Sequence, residues 1–502
     1  MLKKAVVLGS ITALVMLSSA PLTAADEVSD LKAQLDRLNA RLEKMESQDT
    51  KTIEKEELAK MMKEILDDAK AAPALPAWMK NLKFYGLFRL RAESFVYQGR
   101  RGGGSTIANP QIGEPKNTNR IRMLLLTGFT KTWWDEQMEV GFELSSGNNA
   151  APNAAHQTMD GDFEKKPIWI SMMYAKYQPN WAKGLTVAGG KLRAPFRTKT
   201  DLTWSVCTNP EGIYVDYQAP FFGDFKPYGQ VGFWMVNEDG ARAAAGMNTG
   251  ATVRDTEMLS YSAGFDWRIA NALDWFLGAT YYNYYNADAS TGGWLGRYGA
   301  DGQWASGPGG QTPAQNAAAA TQAYASADFG ILELTTKFGW KMDFLPTQFQ
   351  KWETWFTYAR NCKDDYSAWK NPTIPALGGL GADRHFEDEN NAYGAGIKVG
   401  ENKVKGDFSV AYMYFYAEYS SIVPGFSDPD ILYPNNQGHI VQATYNIDDF
   451  LTIAGRMAFE QPIHTDDNPA NAYNGSYMFG GRLFPHSEDM TCIFRVDLTW
   501  RF

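Results

Sequence analysis

The chain has 502 residues, with 48 Lys and Arg against 57 Asp and Glu, 14% aromatic content and 46 glycines. Disordered chains are poor in aromatics, so disorder throughout is excluded. A helical membrane protein is excluded too, because the one stretch that is both long enough to span a bilayer and predominantly apolar lies at residues 5–25.

Residues 1–25 read as a signal peptide. Lys3 and Lys4 form its basic start, residues 5–17 its apolar centre, and residues 18–25 supply the small side chains of a cleavage site after Ala25. Removing Lys3 and Lys4 leaves 46 basic and 57 acidic side chains, a net charge of −11. So acidic a chain is a poor partner for nucleic acid, which calls for a basic face. Cys207, Cys362 and Cys492 are too few and too widely spaced for a disulfide framework or a CxxC metal site.

Residues 26–72 change character. Val28, Leu31, Leu35, Leu38, Leu42 and Met45 are spaced three and four apart, which predicts a coiled-coil helix. Nothing within the segment covers that seam, so self-association is expected. Two and a half heptads are too short to hold alone, and the rest of the chain must help. Pro73 and Pro76 stop the helix and open a linker over 73–81.

From Leu82 to Phe502 the period is two. Cys492, Phe494, Val496, Leu498, Trp500 and Phe502 alternate with Ile493, Arg495, Asp497, Thr499 and Arg501. One apolar face and one charged face suit a strand between lipid and water. Sixteen such segments, from 82–96 to 490–502, are joined alternately by short turns and long loops. The fold class is therefore all-β transmembrane: a sixteen-stranded antiparallel outer-membrane β-barrel with an N-terminal periplasmic coiled-coil helix. In lipid no strand edge can stay open, so the first strand must pair with the last. Trp133, Trp134, Tyr416, Tyr419 and Trp500 suit interfacial girdles, with outer-membrane lipid as the surrounding partner.

The run Gly190-Lys191-Leu192-Arg193-Ala194-Pro195-Phe196 resembles a strand end of the phosphate-selective O and P type porins and of the putative porin family. Thr200-Asp201-Leu202-Thr203-Trp204, Asn209-Pro210-Glu211-Gly212 and Tyr174-Ala175-Lys176-Tyr177 resemble the putative porin family more closely. The resemblance implies a sixteen-stranded channel that assembles as a homotrimer, and it does not settle the solute; passive diffusion of small hydrophilic solutes, with no cofactor, is the expected function. The terminal Phe502 resembles the signature presented to the barrel assembly machinery.

Strand parity then assigns the lumen. Arg89, Arg91, Glu93, Arg120, Arg122, Arg456, Arg495 and Asp497 fall on four strands that are consecutive in a closed barrel, giving a cationic wall. Glu139 and Glu143 continue the lining, and Lys191 and Arg193 join it through the motif. Such a wall favours anions, and neutralising Arg89 and Arg91 should leave folding nearly unaffected if they face water. A lumen this wide needs a narrowing loop. Residues 195–210, with Arg197, Lys199 and Asp201, are favoured over the longer 286–327.

Asp364-Asp365 and Glu387-Asp388-Glu389 read as solvated acidic loops rather than a metal site. Cys207 and Cys362 fall at strand ends on the long-loop side, which leaves a disulfide as an open alternative. The competing readings are a barrel sheath for a partner such as an electron-transfer cytochrome and, more weakly, a surface hydrolase. No GxSxG motif supports the hydrolase.

Overall fold

The structure is a computed structural model that describes residues 79–97, 118–147, 152, 155–237, 255–269, 273–286, 329–363, 390–418, 421–423, 425–431, 434, 436–463, 478–479, 482–483 and 490–502. The signal peptide, the heptad seam, most of the linker, the loop 287–328, Tyr419 and both acidic runs lie outside the described residues.

Among the described residues, sixteen long strands follow in chain order. They are β1 (Leu82–Tyr97), β2 (Thr118–Trp133), β3 (Met138–Ser146), β4 (Ile168–Tyr177), β5 (Leu185–Lys191), β6 (Glu211–Gln218), β7 (Phe225–Asn237) and β8 (Thr256–Ile269). Then come β9 (Leu273–Tyr285), β10 (Gly330–Lys341), β11 (Lys351–Asn361), β12 (Asn391–Gly400), β13 (Phe408–Ala417), β14 (Asn436–Asp448), β15 (Leu451–Pro462) and β16 (Thr491–Arg501). A two-residue strand, Gln157–Thr158, extends the sheet beside Arg122 and Met123 of β2. Each long strand pairs antiparallel with its neighbour in sequence, and β1 pairs with β16 to close the barrel.

Closure is built from the alternation. Across the seam Arg91 faces Asp497, Glu93 faces Arg495 and Phe88 faces Trp500. The terminal residue continues the ladder: Gly86 N donates to Phe502 O at 2.8 Å, and Phe502 N donates to Gly86 O at 3.1 Å. The Phe502 ring lies over Gly86, where a Cβ would come within 2.2 Å of it and push the ring aside.

The two faces differ as lipid and water require. Ile213, Val215, Val231, Phe356 and Val496 are exposed on the outer face. At the short-turn end Trp133, Trp134, Trp181, Phe221, Phe222 and Phe450 are exposed as well, forming an aromatic girdle. The apolar core lies inside the barrel, toward the long-loop end. Phe95, Trp234, Tyr282, Phe415 and Ile493 from five separate strands pack there with residues of two loops.

Candidate functional site

Two connections at the long-loop end turn into the barrel. The first, residues 192–210, begins where β5 stops at Lys191, and Pro195 and Pro210 cannot donate to a strand ladder. Its apolar side chains Leu192, Ala194, Phe196, Leu202 and Trp204 are buried. Phe196 packs on Trp204, Trp234 and Tyr282 with ring centroids 4.7, 5.4 and 5.0 Å apart. Each aromatic pair adds about 0.5–1.5 kcal/mol beyond area burial.

Polar groups fix the same segment to strands far around the barrel. Glu333 of β10 is fully buried and accepts from Thr198 (3.0 Å), Thr203 (2.6 Å) and Tyr282 (2.7 Å). Thr335 donates to the Thr198 carbonyl at 2.8 Å. A buried carboxylate is costly unless satisfied, and these three hydroxyls satisfy it. Leu202 approaches Gly394 of β12, and Asp201 lies 3.5 Å from Arg456 of β15. A segment that leaves β5 and touches β9, β10, β12 and β15 crosses the bore. These contacts identify the inner face of each strand.

The second connection lies between β13 and β14, and sequence reading does not single it out. Phe426 stacks on Trp204 at 5.0 Å, Ser205 N donates to the Phe426 carbonyl at 2.6 Å, and Asp428 N donates to the Asp201 carbonyl at 2.9 Å. Its own Ile422, Val423 and Ile431 are buried.

The expected wall assembles, but not as a free cationic surface. Arg91 makes a two-pronged bond to Asp497 at 2.7 and 2.8 Å, with Arg89 at 3.7 Å from the same carboxylate. Glu93 binds Arg120, lies 3.5 Å from Arg122 and takes Arg495 at 3.2 Å. Arg495 also pairs with Asp430, and Arg456 reaches Asp430 at 2.7 Å and Asp428 at 3.6 Å. Five carboxylates thus offset six arginines. Glu93, Arg495 and Arg91 are only 3%, 4% and 9% exposed, so the expectation that such side chains stand in open water is corrected.

The remaining expected residues fall into three groups. Glu139 accepts from Tyr174 at 2.8 Å and pairs with Lys176 at 3.0 Å, while buried Glu143 lies 3.8 Å from Arg193. Arg197 binds Asp216 at 2.7 Å and Asp266 at 3.4 Å, its guanidinium 4.5 Å over the Tyr228 ring. Lys191 does not belong to the lining. It pairs with Glu211 at 2.6 Å, on the register of Val187 and Val215, the lipid-facing side. The motif suggested a lumen lysine, but a one-residue step along a strand changes the face.

Arg193 is the most open of these cations, its side chain 62% exposed. Lys199 donates to the Ala194 carbonyl. Burial, with Arg193 and Lys337 nearby, pushes its ammonium down to about 8. The Asp201 carboxyl is pushed up to about 6 by its enclosure and by Asp428, against the pull of Arg456. Its side chain keeps 38% of its surface open and lines a half-open cleft. Cys207 and Cys362 are not joined to one another, against the disulfide that the sequence leaves open.

The family follows from the sequence. The family model described as "Putative porin" matches residues 23–298, more than half of the 502 residues. The chain belongs to this family. Among solved structures, this porin resembles Pseudomonas putida OprB at high pH with 10% identity, covering 84% of this chain and 94% of that one, at a TM-score of 0.47. The low-pH OprB structure gives 8% identity, 89% and 98% coverage and a TM-score of 0.42. A mutant of the Rhodopseudomonas blastica porin gives 9% identity, 84% and 100% coverage and a TM-score of 0.39. No curated protein matches the sequence.

Proposed function

We propose that this porin is an outer-membrane channel for passive diffusion of small hydrophilic solutes and ions, with a preference for anions. The observation that carries the preference is the charge left over inside the barrel. The six wall arginines are almost balanced, whereas, among the described residues, Arg193 and Lys199 on the crossing segment, with Lys337 and Lys398 on inner strand faces, have no carboxylate closer than the 3.8 Å from Arg193 to Glu143, and Glu353 stands against the four of them as an inward acid. Charges within a Debye length of about 8 Å act on a permeating ion, while those on distant outer loops are screened. The local excess therefore outweighs the chain's net −9.

The same arrangement weighs against a sheath for a threaded cytochrome. Two loop segments occupy the space such a partner would need, held by a buried carboxylate and an aromatic cluster rather than hinged at the rim.

The zero-current potential across a KCl gradient tests the preference. The wild type should give the sign of chloride selectivity, and Arg193→Gln, Lys199→Gln and Lys337→Gln together should move it toward potassium. Asp201 gains a proton below about pH 6 and Lys199 loses one above about pH 8. Anion preference should therefore be greatest at pH 5 and decline toward pH 9. A potassium-selective wild type would sink the reading.

Assembly as a homotrimer, organised by a periplasmic helix over residues 26–72, is part of the same proposal. The heptad spacing of Val28 to Met45 supports it. A variant lacking 26–72 should lose its heat-modifiable trimer band on gels. An unchanged oligomer of unchanged heat resistance would show that the helix does not organise it.

A further inference from the structure

We infer that the inner wall beside the crossing segment holds a binding site for a small cyclic monocarboxylate, of which benzoate is the simplest probe. The inference rests on the channel reading and names a solute class for it. A cleft of about 160 Å³ opens where Asp201 at the turn of the segment meets β11–β15, lined by Trp355, Lys398, Gln442, Thr444 and Arg456 among others. Pockets for drug-sized ligands run to roughly 300–1,000 Å³, so this one suits a single ring.

Two features select the ligand. The Trp355 indole lies over Gly396, where a Cβ would come 2.1–2.6 Å from three ring atoms. Glycine there lets the indole lie against the wall, and the part of it that lines the cleft offers a planar ring an aromatic partner. Beside it stands Lys398, which makes no hydrogen bond or ion pair among the described residues. Its cross-strand neighbour Glu353 lines a separate cleft with Lys337 and Asp266 and is not within 4 Å.

Asp201 and Arg456 offset one another across the cleft. The cation left for a solute is Lys398, and the apolar surface left is the indole. A ring bearing one carboxylate meets both, the charge-assisted bond fixing the end that the stacking leaves free. A neutral polyol would leave the ammonium unanswered. A small zwitterion would bring an ammonium against Arg456 and find no use for the indole.

Single-channel recording of the full-length protein in KCl tests this, with benzoate, benzamide, glucose and glycine added in turn. Benzoate should reduce the current saturably, and the three neutral solutes should need at least tenfold higher concentrations for the same reduction. Trp355→Phe should raise the benzoate midpoint several-fold, and Trp355→Ala and Lys398→Gln at least tenfold. Heat-modifiable migration on gels confirms that each variant is folded. Equal block by benzamide or glucose, or an unchanged midpoint in folded Lys398→Gln, would overturn the site while leaving the channel intact. Absence of any KCl current in the wild type would instead remove the channel reading on which the site rests.

Discussion

Glu93→Gln is expected to be the most damaging single substitution in the interior, and to raise anion selectivity in whatever barrel survives. Glu93 is 3% exposed and is the carboxylate shared by Arg120, Arg122 and Arg495. Removing its charge leaves three arginines gathered in a low-dielectric interior around a neutral amide. Breaking a buried pair by deleting one partner costs about 3–5 kcal/mol, because the remaining charge is uncompensated. Arg495 keeps Asp430, so the loss belongs at the lower end of that range. The unfolding midpoint in denaturant should fall accordingly. The zero-current potential should move further toward chloride, since one of five balancing acids is gone. A variant as stable as the wild type would show that the cluster is solvated.

The second large effect is expected at the seam. Deleting residues 500–502 removes the Phe88–Trp500 ring contact at 5.7 Å, the pairing of Leu87 with Arg501 and both backbone bonds between Gly86 and Phe502. On the other side it removes the pairing of Leu451 with Trp500 and the Arg501 bond to Thr452 at 2.7 Å. The barrel would be left with unpaired backbone at the short-turn end, where no water in the hydrocarbon can replace it. Barrel should fail to accumulate in the outer membrane. Normal levels of the truncated protein would count against both the closure argument and the reading of Phe502 as an assembly signal.

Much of this architecture is legible because lipid imposes a strict rule on sequence. In β16 every outward position from Cys492 to Phe502 is apolar, and parity alone places Arg495 and Asp497 inside. The same rule, carried around the closed barrel, brings Arg89, Arg91, Arg120, Arg122 and Arg456 together from strands distant in sequence. Parity does not report what lies opposite. Asp428 and Asp430 sit in a connection with no periodicity, and only the fold brings them to Arg456 and Arg495. For that reason the wall reads from sequence as exposed and cationic, and from structure as buried and nearly neutral. Neutralising Arg89 and Arg91 together is accordingly expected to strand Asp497 and lower stability, contrary to the sequence expectation. Glu333, Lys337 and Lys398 were within reach of the parity rule. What singles out Glu333 is the pair of threonines that the crossing segment delivers to it, which no spacing announces.

Residues 192–210 cross the bore, and they are expected to set its width. Single-channel conductance of the full-length protein measures that directly. It should be compared with a variant in which residues 197–206 are replaced by a short Gly-Ser linker. Fixed loops in wide barrels are what reduce an aqueous channel to solute size. The replacement removes the Thr198 and Thr203 bonds to Glu333 and the Trp204 packing on Phe426, so the segment has nothing to hold it across the lumen. The wild type should form a discrete channel, and the variant should show clearly larger conductance and weaker ion selectivity. Equal conductance and selectivity in the two proteins would contradict it.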